Sequence, residues 1–320
     1  MKAMILAAGM GIRLIPLTNK RPKPLFPIYN FPIIGIIISQ LKEIGVTNLA
    51  INTHWLAPMI KDYIEREDIK GININMSYEP EILGTAGGIK NFEEFWGNDP
   101  FLVLAGDIIH NIDLISAYKK HIKSKSLATL ILHNYPSFNQ VELDGKNDIV
   151  GLRGEMFKKT NSSISLLAFT GIHIISPELL QEIPERKKVD IISCYQKLIL
   201  KGASIKGELV ENCYWIDVGH LPTYHQIHKD LFWDRSRLGL KTFNHLTNPC
   251  IGYNSSVGKD NLFEGYVSIG NHTNIGKDCV IKNSIIWDNV KVADNITIEN
   301  CIIGDGAKIN VSLKNEVIIG

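Results

Sequence analysis

The sequence predicts two domains of different architecture: an α/β domain with a doubly wound, mostly parallel sheet, and a C-terminal left-handed β-helix. Up to about residue 234, short apolar runs alternate with amphipathic segments, as strands alternate with helices. After about residue 248, apolar residues recur every six positions, which is typical of a triangular coil. The chain has 320 residues, enough for two domains at roughly 100 to 200 residues each.

The first domain, residues 1–236, is predicted to be Rossmann-like, with helices connecting the strands of its sheet. Strands are expected at Ala3–Ala7, Leu49–Thr53, Ile72–Tyr78, Phe101–Leu104, Leu127–Leu132 and Leu166–Ile175. Helices are expected at Ile34–Glu43, Met59–Glu67, Ala86–Trp96, Leu114–Lys123, Pro177–Glu182 and Ile191–Leu200, with a polar helix ending near Asp234. Ligands of such sheets bind beyond the carboxyl ends of parallel strands, so the functional residues should follow the strands.

The second domain, residues 249–320, follows a predicted linker at 237–248. Apolar residues spaced by six, with a one-residue slip after Ile281 and another after Ile298, are Ile251, Val257, Phe263, Ile269, Ile275, Ile281, Ile286, Val292, Ile298, Ile303 and Ile309. One inward side chain per face of a three-faced coil accounts for this spacing, and about 18 residues per coil give roughly four coils. A β-sandwich, with strands 8 to 12 residues apart, offers no reason for a period of six.

Composition limits the classes of function. Hydrophobic residues make up 45% of the chain and charged residues 21%, which predicts a globular protein. The formal charge of +1 provides no broad positive field for nucleic acid. The five cysteines never form a C-x-x-C pair, and no apolar run approaches the length of a membrane span. We therefore expect a soluble cytoplasmic protein that binds neither nucleic acid nor membrane.

A glycine-containing segment with fixed cations follows the first predicted strand. Backbone N–H groups of Gly9 and Gly11 can approach phosphate oxygens, and Arg13 and Lys23 can neutralise a polyphosphate. The segment lacks both the G-x-G-x-x-G dinucleotide fingerprint and the G-K-[ST] of a P-loop. It is therefore a candidate triphosphate cradle of another kind, or else a glycine-rich turn with solvated cations.

The segment from Leu6 to Leu25 resembles the signature of the nucleotide-diphospho-sugar pyrophosphorylases, which are sugar-1-phosphate nucleotidyltransferases. That signature runs L-A-A-G-x-G-T-R-L-x-P-L-T and, after a short gap, P-K-P-L; here Ile12 replaces the usual Thr or Ser, and Arg21 falls in the variable gap. The resemblance implies an enzyme that binds a nucleoside triphosphate and a sugar 1-phosphate. It assigns to the nucleotide Leu6, Ala7, Ala8, Gly9, Gly11, Arg13 and Lys23.

Later segments continue the resemblance. Leu83–Gly87 matches the L-G-T-A-G loop of the family, which implies nucleobase contacts from Gly84, Thr85 and Ala86 and from the upstream carboxylates Glu79 or Glu81. The Asp of Ala105-Gly-Asp107 and the Asp of Trp215-Ile-Asp-Val-Gly219 match the two metal carboxylates of the family. Asn139, Thr170 and Gly171 correspond to the sugar side of the site. Asp107 also contacts the nucleotide in this assignment.

The implied chemistry is coherent for these residues. A sugar phosphate is already ionised, so its attack on the α-phosphorus needs positioning and charge neutralisation rather than a strong base. Asp107 and Asp217 can hold Mg²⁺, while Arg13 and Lys23 stabilise the α-phosphate and the departing pyrophosphate. These four residues are the predicted catalytic set.

Several alternatives remain open from the sequence. The E-K-P segment of many relatives, whose Lys meets the sugar phosphate, is absent, and Arg153, Lys158 or Lys159 are possible substitutes. The L-G-T-A-G loop with a hexapeptide tail is similar to mannose-1-phosphate guanylyltransferases and favours GTP. Ile51–Leu56 looks more like the N-acetylmuramate-1-phosphate uridylyltransferases, which would use UTP. A non-catalytic assembly subunit is a further reading.

The role of the β-helix and of the histidines is also a matter of alternatives. The β-helix is expected to mediate homo-oligomerisation; acyl transfer, with His272 as base, is the rival reading. His220, His225 and His228 form a cluster in sequence that is read as a solvated helix face rather than a metal site. His54 could reach the sugar pocket or cap the core.

Overall fold

The computed structural model describes residues 1–67, 69–240 and 243–320. Contacts divide the chain into two compact units. The first, called here the sheet unit, consists of Met1–Gly9 and Ser39–Trp215; the second, the β-helix unit, consists of Met10–Ile38 and Ile216–Gly320. The β-helix unit thus includes most of the signature segment. The predicted domain limits stay a prediction, and residues 241 and 242 of the predicted linker lie outside the described residues.

The elements are numbered along the chain. The α-helices are α1 (Ile33–Glu43), α2 (Ala57–Arg66), α3 (Gly84–Lys90), α4 (Glu93–Trp96), α5 (Leu114–Ser124), α6 (Ile191–Leu200) and α7 (Leu221–Trp233). The strands are β1 (Lys2–Ala7), β2 (Pro27–Ile28), β3 (Phe31–Pro32), β4 (Asn48–Thr53), β5 (Asn73–Tyr78), β6 (Phe101–Ala105), β7 (Ile108–His110), β8 (Ala128–His133), β9 (Asn139–Asp144), β10 (Ile149–Leu152), β11 (Glu155–Met156), β12 (Ile164–Ile175), β13 (Ile205–Leu209), β14 (Trp215–Asp217), β15 (Cys250–Ile251), β16 (Ser256–Val257), β17 (Leu262–Ile269), β18 (Asn274–Ile275), β19 (Val280–Ile286), β20 (Lys291–Val292), β21 (Thr297–Glu299), β22 (Ile302–Ile303), β23 (Lys308–Ile309), β24 (Leu313–Lys314) and β25 (Val317–Ile318). Short 3-10 helices lie at Ile12–Leu14, Leu17–Asn19, Lys23–Leu25, Pro136–Phe138, Pro177–Glu182 and Arg235–Leu238. No helix among the described residues is long and apolar enough to span a bilayer.

The sheet unit contains a ten-stranded mixed sheet with a parallel half. The parallel half runs β6-β1-β4-β5, and β13 pairs with β8 in parallel as well. The long strand β12 is antiparallel to β6, β8 and β9, and the β9–β10–β11 meander extends the sheet. The predicted doubly wound α/β domain is confirmed. Its antiparallel half was not apparent from the alternation of strands and helices.

One predicted helix, Ala86–Trp96, is divided into α3 and α4. Phe92 leaves helical geometry, with φ −105° and ψ 21°. The carbonyl of Ile89 accepts both the Phe92 N–H at 3.2 Å and the indole N–H of Trp96 at 3.1 Å. This break lets Trp96 stack on Phe101 with ring centroids 3.8 Å apart in the core of the sheet unit.

The β-helix is built from three ladders of stacked apolar residues, which confirms the six-residue period. The ladders are Ile251-Ile269-Ile286-Ile303-Ile318, Val257-Ile275-Val292-Ile309 and Phe263-Ile281-Ile298-Leu313. Partners in the first coils are 18 residues apart, and those in later coils are 17 and then 15 apart. All strand pairs in these ladders are parallel. Ile251, at the open first coil, stands in register beside the buried Ile269 but is itself 43% exposed.

Candidate active site

The candidate residues of the sheet unit lie along one edge of its parallel half. In the register of the sheet, Thr53 stands beside both Ala7 and Tyr78, and Ala105 stands beside Leu6. The four strands therefore end together. Ala8 and Gly9, His54, Glu79 and Asp107 follow those four ends directly or within two residues. This is the carboxyl edge at which the sequence predicted ligand binding.

Asp107 is placed at this edge by the glycine that precedes it. The N–H of Gly106 donates to the Leu6 carbonyl at 2.9 Å, which continues the pairing of β6 with β1 past the last strand residue. A Cβ on Gly106 would lie 2.7 Å from the same carbonyl oxygen. Glycine is thus the residue that allows this approach, and it delivers Asp107 beside the end of β1.

Glu79 belongs to a buried hydrogen-bond network that joins three strand ends to the L-G-T-A-G loop. The side-chain amide of Asn52 accepts from the Ala7 N–H at 3.0 Å and donates to Glu79 Oε1 at 2.8 Å. Glu79 Oε2 accepts from the Leu83 N–H at 2.9 Å, and Glu79 is 1% exposed. The imidazole Nδ1 of His54 lies 2.7 Å from the Glu79 carbonyl. One carboxylate oxygen of Glu79 therefore holds the loop and the other is bonded to Asn52, whereas Glu81 is exposed.

The L-G-T-A-G loop packs against the segment that precedes α6. Cβ atoms placed on Gly84 and Gly87 would lie 2.5 Å from the carbonyl oxygens of Val189 and Lys187. The N–H of Ala86 donates to the Val189 carbonyl at 3.0 Å, and Thr85 Oγ1 accepts from the Ile191 N–H at 2.8 Å. These contacts explain why the loop is made of small residues, because larger side chains would clash with the backbone of residues 187–189. Leu83, at the start of the loop, remains bonded to Glu79.

The residues assigned to the sugar are held by the antiparallel half of the sheet. Thr170 is fully buried and donates to the Ile131 carbonyl at 2.9 Å, and Gly171, with φ +78°, lies in the bulge where β12 changes register against β8. The indole N–H of Trp215 donates to the Thr170 carbonyl at 2.9 Å. Asn139 Oδ1 accepts from the Tyr135 N–H at 2.9 Å and so closes the loop before β9.

An aromatic cluster stands beside these sugar-side residues. The ring of Trp215 lies 4.7 Å from that of His133 and 5.6 Å from that of Tyr135, measured between centroids. Tyr135 and Phe138 remain 39% and 47% exposed. Since aromatic faces pack well against apolar C–H surfaces, the cluster gives this side of the unit an apolar wall.

In the β-helix unit, the signature segment folds into a succession of tight turns. Gly11 has φ +65°, and a Cβ there would lie 2.8 Å from the Thr18 methyl group and 3.5 Å from Lys23 Cβ. The hydroxyl of Thr18 donates to the Gly11 carbonyl at 3.2 Å. The turn at Gly11 is thereby packed against the Lys23 stretch, and both predicted phosphate cations of the segment belong to the same local fold.

Arg13 and Asp217 lie close together in the β-helix unit. Arg13 Nη2 is 3.9 Å from Asp217 Oδ2, and Arg13 Nη1 donates to Nε2 of His220 at 2.6 Å. A Cβ on Gly219 would lie 2.7 Å from both the Arg13 guanidinium and Asp217 Oδ1. The structure thus brings a predicted phosphate cation beside a predicted metal carboxylate, through a glycine that leaves room for both.

One prediction needs correction, and one residue that was given no role proves to be paired. Arg21, which lies in the variable gap of the signature, is only 13% exposed and forms ion pairs with Asp288 at 2.7 Å and Asp305 at 2.6 Å. His228 is fully buried rather than solvated, because α7 lays this residue against the carbonyl of Pro27, 3.2 Å from its Nε2. The sequence feature that could have pointed to the partners of Arg21 is the spacing of Asp288 and Asp305, which are one 17-residue coil apart.

The chain offers oxygen ligands for a divalent ion without a preformed cage. No cluster of three or more His, Cys, Asp or Glu residues in the described part of the chain has metal-site geometry. Mg²⁺ usually takes one or two protein carboxylates and completes its shell with water and phosphate oxygens. Asp107 and Asp217, the latter with a side chain 22% exposed, are each a ligand of that type.

Comparison with known proteins gives the family. The model of the nucleotidyl transferase family matches residues 2–232. The chain belongs to this family. A second model, the GMPPB C-terminal domain, matches residues 246–320. The predicted family and enzyme class, nucleotidyl transfer, are confirmed, and the family in general uses a divalent metal.

Individual relatives match over most of this nucleotidyltransferase. The N-acetylmuramate alpha-1-phosphate uridylyltransferase of Neisseria meningitidis is 34% identical over 68% of this chain and 93% of its own length. A probable mannose-1-phosphate guanylyltransferase of Oryza sativa is 27% identical over all of this chain and 91% of its own. The solved structure of HddC from Yersinia pseudotuberculosis has a TM-score of 0.57 at 22% identity, covering 71% of this chain and 97% of its own, and shows the shared fold.

Proposed function

We propose that this nucleotidyltransferase transfers a guanylyl group from GTP to mannose 1-phosphate or a related sugar 1-phosphate, releasing pyrophosphate. The observation that carries the proposal is the Arg13–Asp217 pair, in which the guanidinium of the signature segment and the carboxylate of the Trp215–Gly219 motif are 3.9 Å apart. A cation beside a metal ligand is what charge neutralisation of a reacting phosphate requires. The full-length match to a guanylyltransferase supports the choice of GTP and mannose 1-phosphate.

In the proposed mechanism, the residues of the chain position and neutralise the reactants. A phosphate oxygen of the sugar phosphate attacks the α-phosphorus of the nucleotide, and the bond to the β-phosphate oxygen breaks in line with this attack. Arg13 and Lys23 stabilise the negative charge on the α-phosphate and on the departing pyrophosphate. Asp107 and Asp217 would hold Mg²⁺, which supplies further charge neutralisation when it is bound. The nucleophile is already ionised, so no side chain has to remove a proton.

The nucleobase is assigned to the L-G-T-A-G loop and the carboxylates before it. Guanine presents a ring N–H and an exocyclic amine, which a carboxylate accepts. Because Glu79 is buried, with one oxygen bonded to Asn52 and the other to the start of the loop, we assign the base-reading carboxylate to the exposed Glu81 and keep Glu79 as the residue that positions the loop. UTP is the alternative nucleotide, and the 34% identical uridylyltransferase supports it.

The decisive experiment measures pyrophosphate release with Mg²⁺. GTP, UTP, dTTP, CTP and ATP are crossed with mannose-, glucose- and N-acetylhexosamine-1-phosphates. One pair should react, and Asp107→Asn and Asp217→Asn should each lower kcat on the order of 10²- to 10³-fold, as loss of a preorganised charge does. Asp62→Asn, an exposed carboxylate on α2, is the matched control and should be unchanged.

Each outcome has a distinct meaning. Turnover of UTP but not GTP would overturn the guanylyl proposal and leave the reaction intact. A folded protein that binds nucleotide but turns over no pair would contradict catalysis and favour an assembly subunit. Glu81→Gln should change the GTP to UTP ratio of kcat/KM, and an unchanged ratio would remove Glu81 as the base reader. Glu79→Gln should instead lower activity toward both nucleotides.

A further inference from the structure

The guanidinium of Arg21 is enclosed by groups of the β-helix. Its Nη2 donates to Asp288 Oδ2 at 2.7 Å and to Asp305 Oδ1 at 2.6 Å, and its Nε donates to Asp305 Oδ2 at 2.9 Å. The plane of Trp287 lies beneath it, with the ring centroid 5.0 Å from Cζ. Arg21 thus combines a bidentate carboxylate pair, a second carboxylate and a cation–π contact, although it belongs to the signature segment.

The two carboxylates are held in place by the coils that carry them. Asp305 Oδ1 also accepts from the Asp288 N–H at 3.1 Å, and Asp288 Oδ1 accepts from the Asn271 N–H at 2.7 Å. These side chains therefore form a ladder across successive coils. An acceptor whose position is set by backbone groups leaves Arg21 little freedom to move.

Aromatic packing beside the ion pairs ties the next part of the signature segment to the same coils. Phe26 packs edge-on against Trp287 with centroids 4.7 Å apart. The indole N–H of Trp287 donates to the Tyr224 hydroxyl at 3.1 Å, and that hydroxyl donates to the Pro27 carbonyl at 2.6 Å. Phe26, Tyr224 and Trp287 are fully buried. The stretch from Arg21 to Pro27 is accordingly anchored at both of its ends, and Lys23 lies between the anchors.

Burial alone would lower the pKa of the Arg21 guanidinium, but the charges of Asp305 and Asp288 and their hydrogen bonds raise it above its ordinary value. Arg21 is therefore always charged, and its charge is matched by two carboxylates. A cation that is enclosed in this way serves as an anchor rather than as a phosphate ligand.

We propose that Arg21 is a positioning residue through which the β-helix holds Lys23 in its phosphate-binding place. On this proposal the β-helix contributes to catalysis inside a single chain, in addition to any role in oligomerisation. The inference rests on the proposed function of Lys23. It does not depend on which nucleotide or which sugar phosphate is used.

The test compares Arg21→Met with two controls. Lys282→Met removes a cation of the β-helix that pairs with Glu264 at the surface, and Ile281→Ala removes buried volume from the β-helix core. Arg21→Met should lower kcat/KM for the nucleotide by roughly 10- to 100-fold, since small misplacements of a charge cost that much. Ile281→Ala, assayed well below its own Tm, should stay within about twofold of the natural enzyme because it disturbs the coils without moving Lys23.

Two further readouts separate positioning from general stability. Arg21→Lys, which restores the charge but not the fork, should recover part of kcat/KM. Hydrogen exchange should accelerate in Arg21→Met at the amides of Lys20, Arg21, Leu25 and Phe26, which close the turns around Lys23, and not in Lys282→Met. Equal kcat/KM in Arg21→Met and Ile281→Ala at equal loss of Tm, or unchanged exchange at these four amides, would overturn the proposal. If the natural protein turns over no nucleotide, the proposed function fails, and the exchange measurement still decides whether Arg21 anchors the segment.

Discussion

The two units hold their candidate residues by different means. In the sheet unit, neighbours in the register are far apart in sequence, as Ala7 and Thr53 are, and Leu6 and Ala105. In the β-helix, neighbours are 15 to 18 residues apart and repeat a single local rule. Arg21 is an exception to this contrast, because it pairs with Asp305, which is 284 residues away in the sequence. A region built by local repetition can therefore still hold a distant functional segment.

Of all the tests, a fall in pH should produce the largest difference in stability between the two units. Burial lowers the pKa of His110 to about 4, of His121 to about 4 and of His173 to about 3 in the sheet unit, and of His228 to about 3 in the β-helix unit. A depressed folded-state pKa contributes stability that is complete above the ordinary pKa of 6.5 and is lost as the pH falls toward 4. As the pH falls from 7 to 4.5, each of these histidines should lower the free energy of unfolding by on the order of 2–3 kcal/mol.

The sheet unit, with three such histidines among the described residues, should therefore open first. Hydrogen exchange at pH 7 and pH 4.5, each referred to its own unfolded control, reports the two units separately. His173→Gln should flatten the pH dependence of the sheet unit, and His245→Gln, an exposed substitution, should not. Earlier opening of the β-helix unit would contradict this ranking.

Removing one buried tryptophan from each unit tests whether the two cores contribute equally to the free energy of unfolding. Trp96 and Trp287 are both fully buried, so Trp96→Ala and Trp287→Ala should each cost about 3–5 kcal/mol in the free energy of unfolding. Urea denaturation followed by circular dichroism measures this cost. Trp233→Ala, at a residue 75% exposed, is the control and should change stability by less than about 0.5 kcal/mol.

The activities of the two tryptophan variants sharpen the comparison. Trp287 packs under Arg21 and against Phe26, so its loss should also raise KM for the nucleotide at temperatures where the variant is folded. The ring of Trp96 stacks on Phe101, which is not a candidate site residue. If both variants lose activity only in proportion to their unfolded fraction, the special role of the β-helix unit is refuted.

The smallest effects should come from a pair of glycines. A Cβ on Gly106 would meet the backbone oxygen of Leu6 at 2.7 Å, whereas a Cβ on Gly219 would meet the ends of the Arg13 and Asp217 side chains at the same distance. Backbone cannot move aside cheaply, so Gly106→Ala should cost about 1–3 kcal/mol of stability. Gly219→Ala should cost less stability and should lower kcat/KM by displacing Arg13. Thermal unfolding and pyrophosphate release distinguish the two, and the reverse pattern would disprove the assignment.

Much of the fold was predictable because its signals are local. Strands β1, β4, β5, β6 and β8 lie within one residue of their predicted limits, since strands appear as short apolar or alternating runs between turns. The β-helix was predicted through its six-residue period. The antiparallel half of the sheet was not, because the pairing of β12 with three other strands leaves no mark on the residues of β12 itself.

The candidate site was predictable in its members but not in their contacts. The motifs identify Arg13, Lys23, Asp107 and Asp217, whose roles remain proposals. They did not reveal that Glu79 is buried beneath its loop with both oxygens engaged.

The sequence by itself determined the order of strands and helices, the coil of the β-helix and the candidate residues for phosphate and metal chemistry, because these depend on spacing along the chain. The tertiary structure alone decided which of the charged residues are enclosed. Arg13 and Arg21 both lie in the signature segment, yet Arg13 stays half exposed beside Asp217, whereas Arg21 is enclosed by two carboxylates and a tryptophan from coils more than 260 residues away. Burial and pairing are properties of the surroundings, and only the folded chain brings those surroundings together.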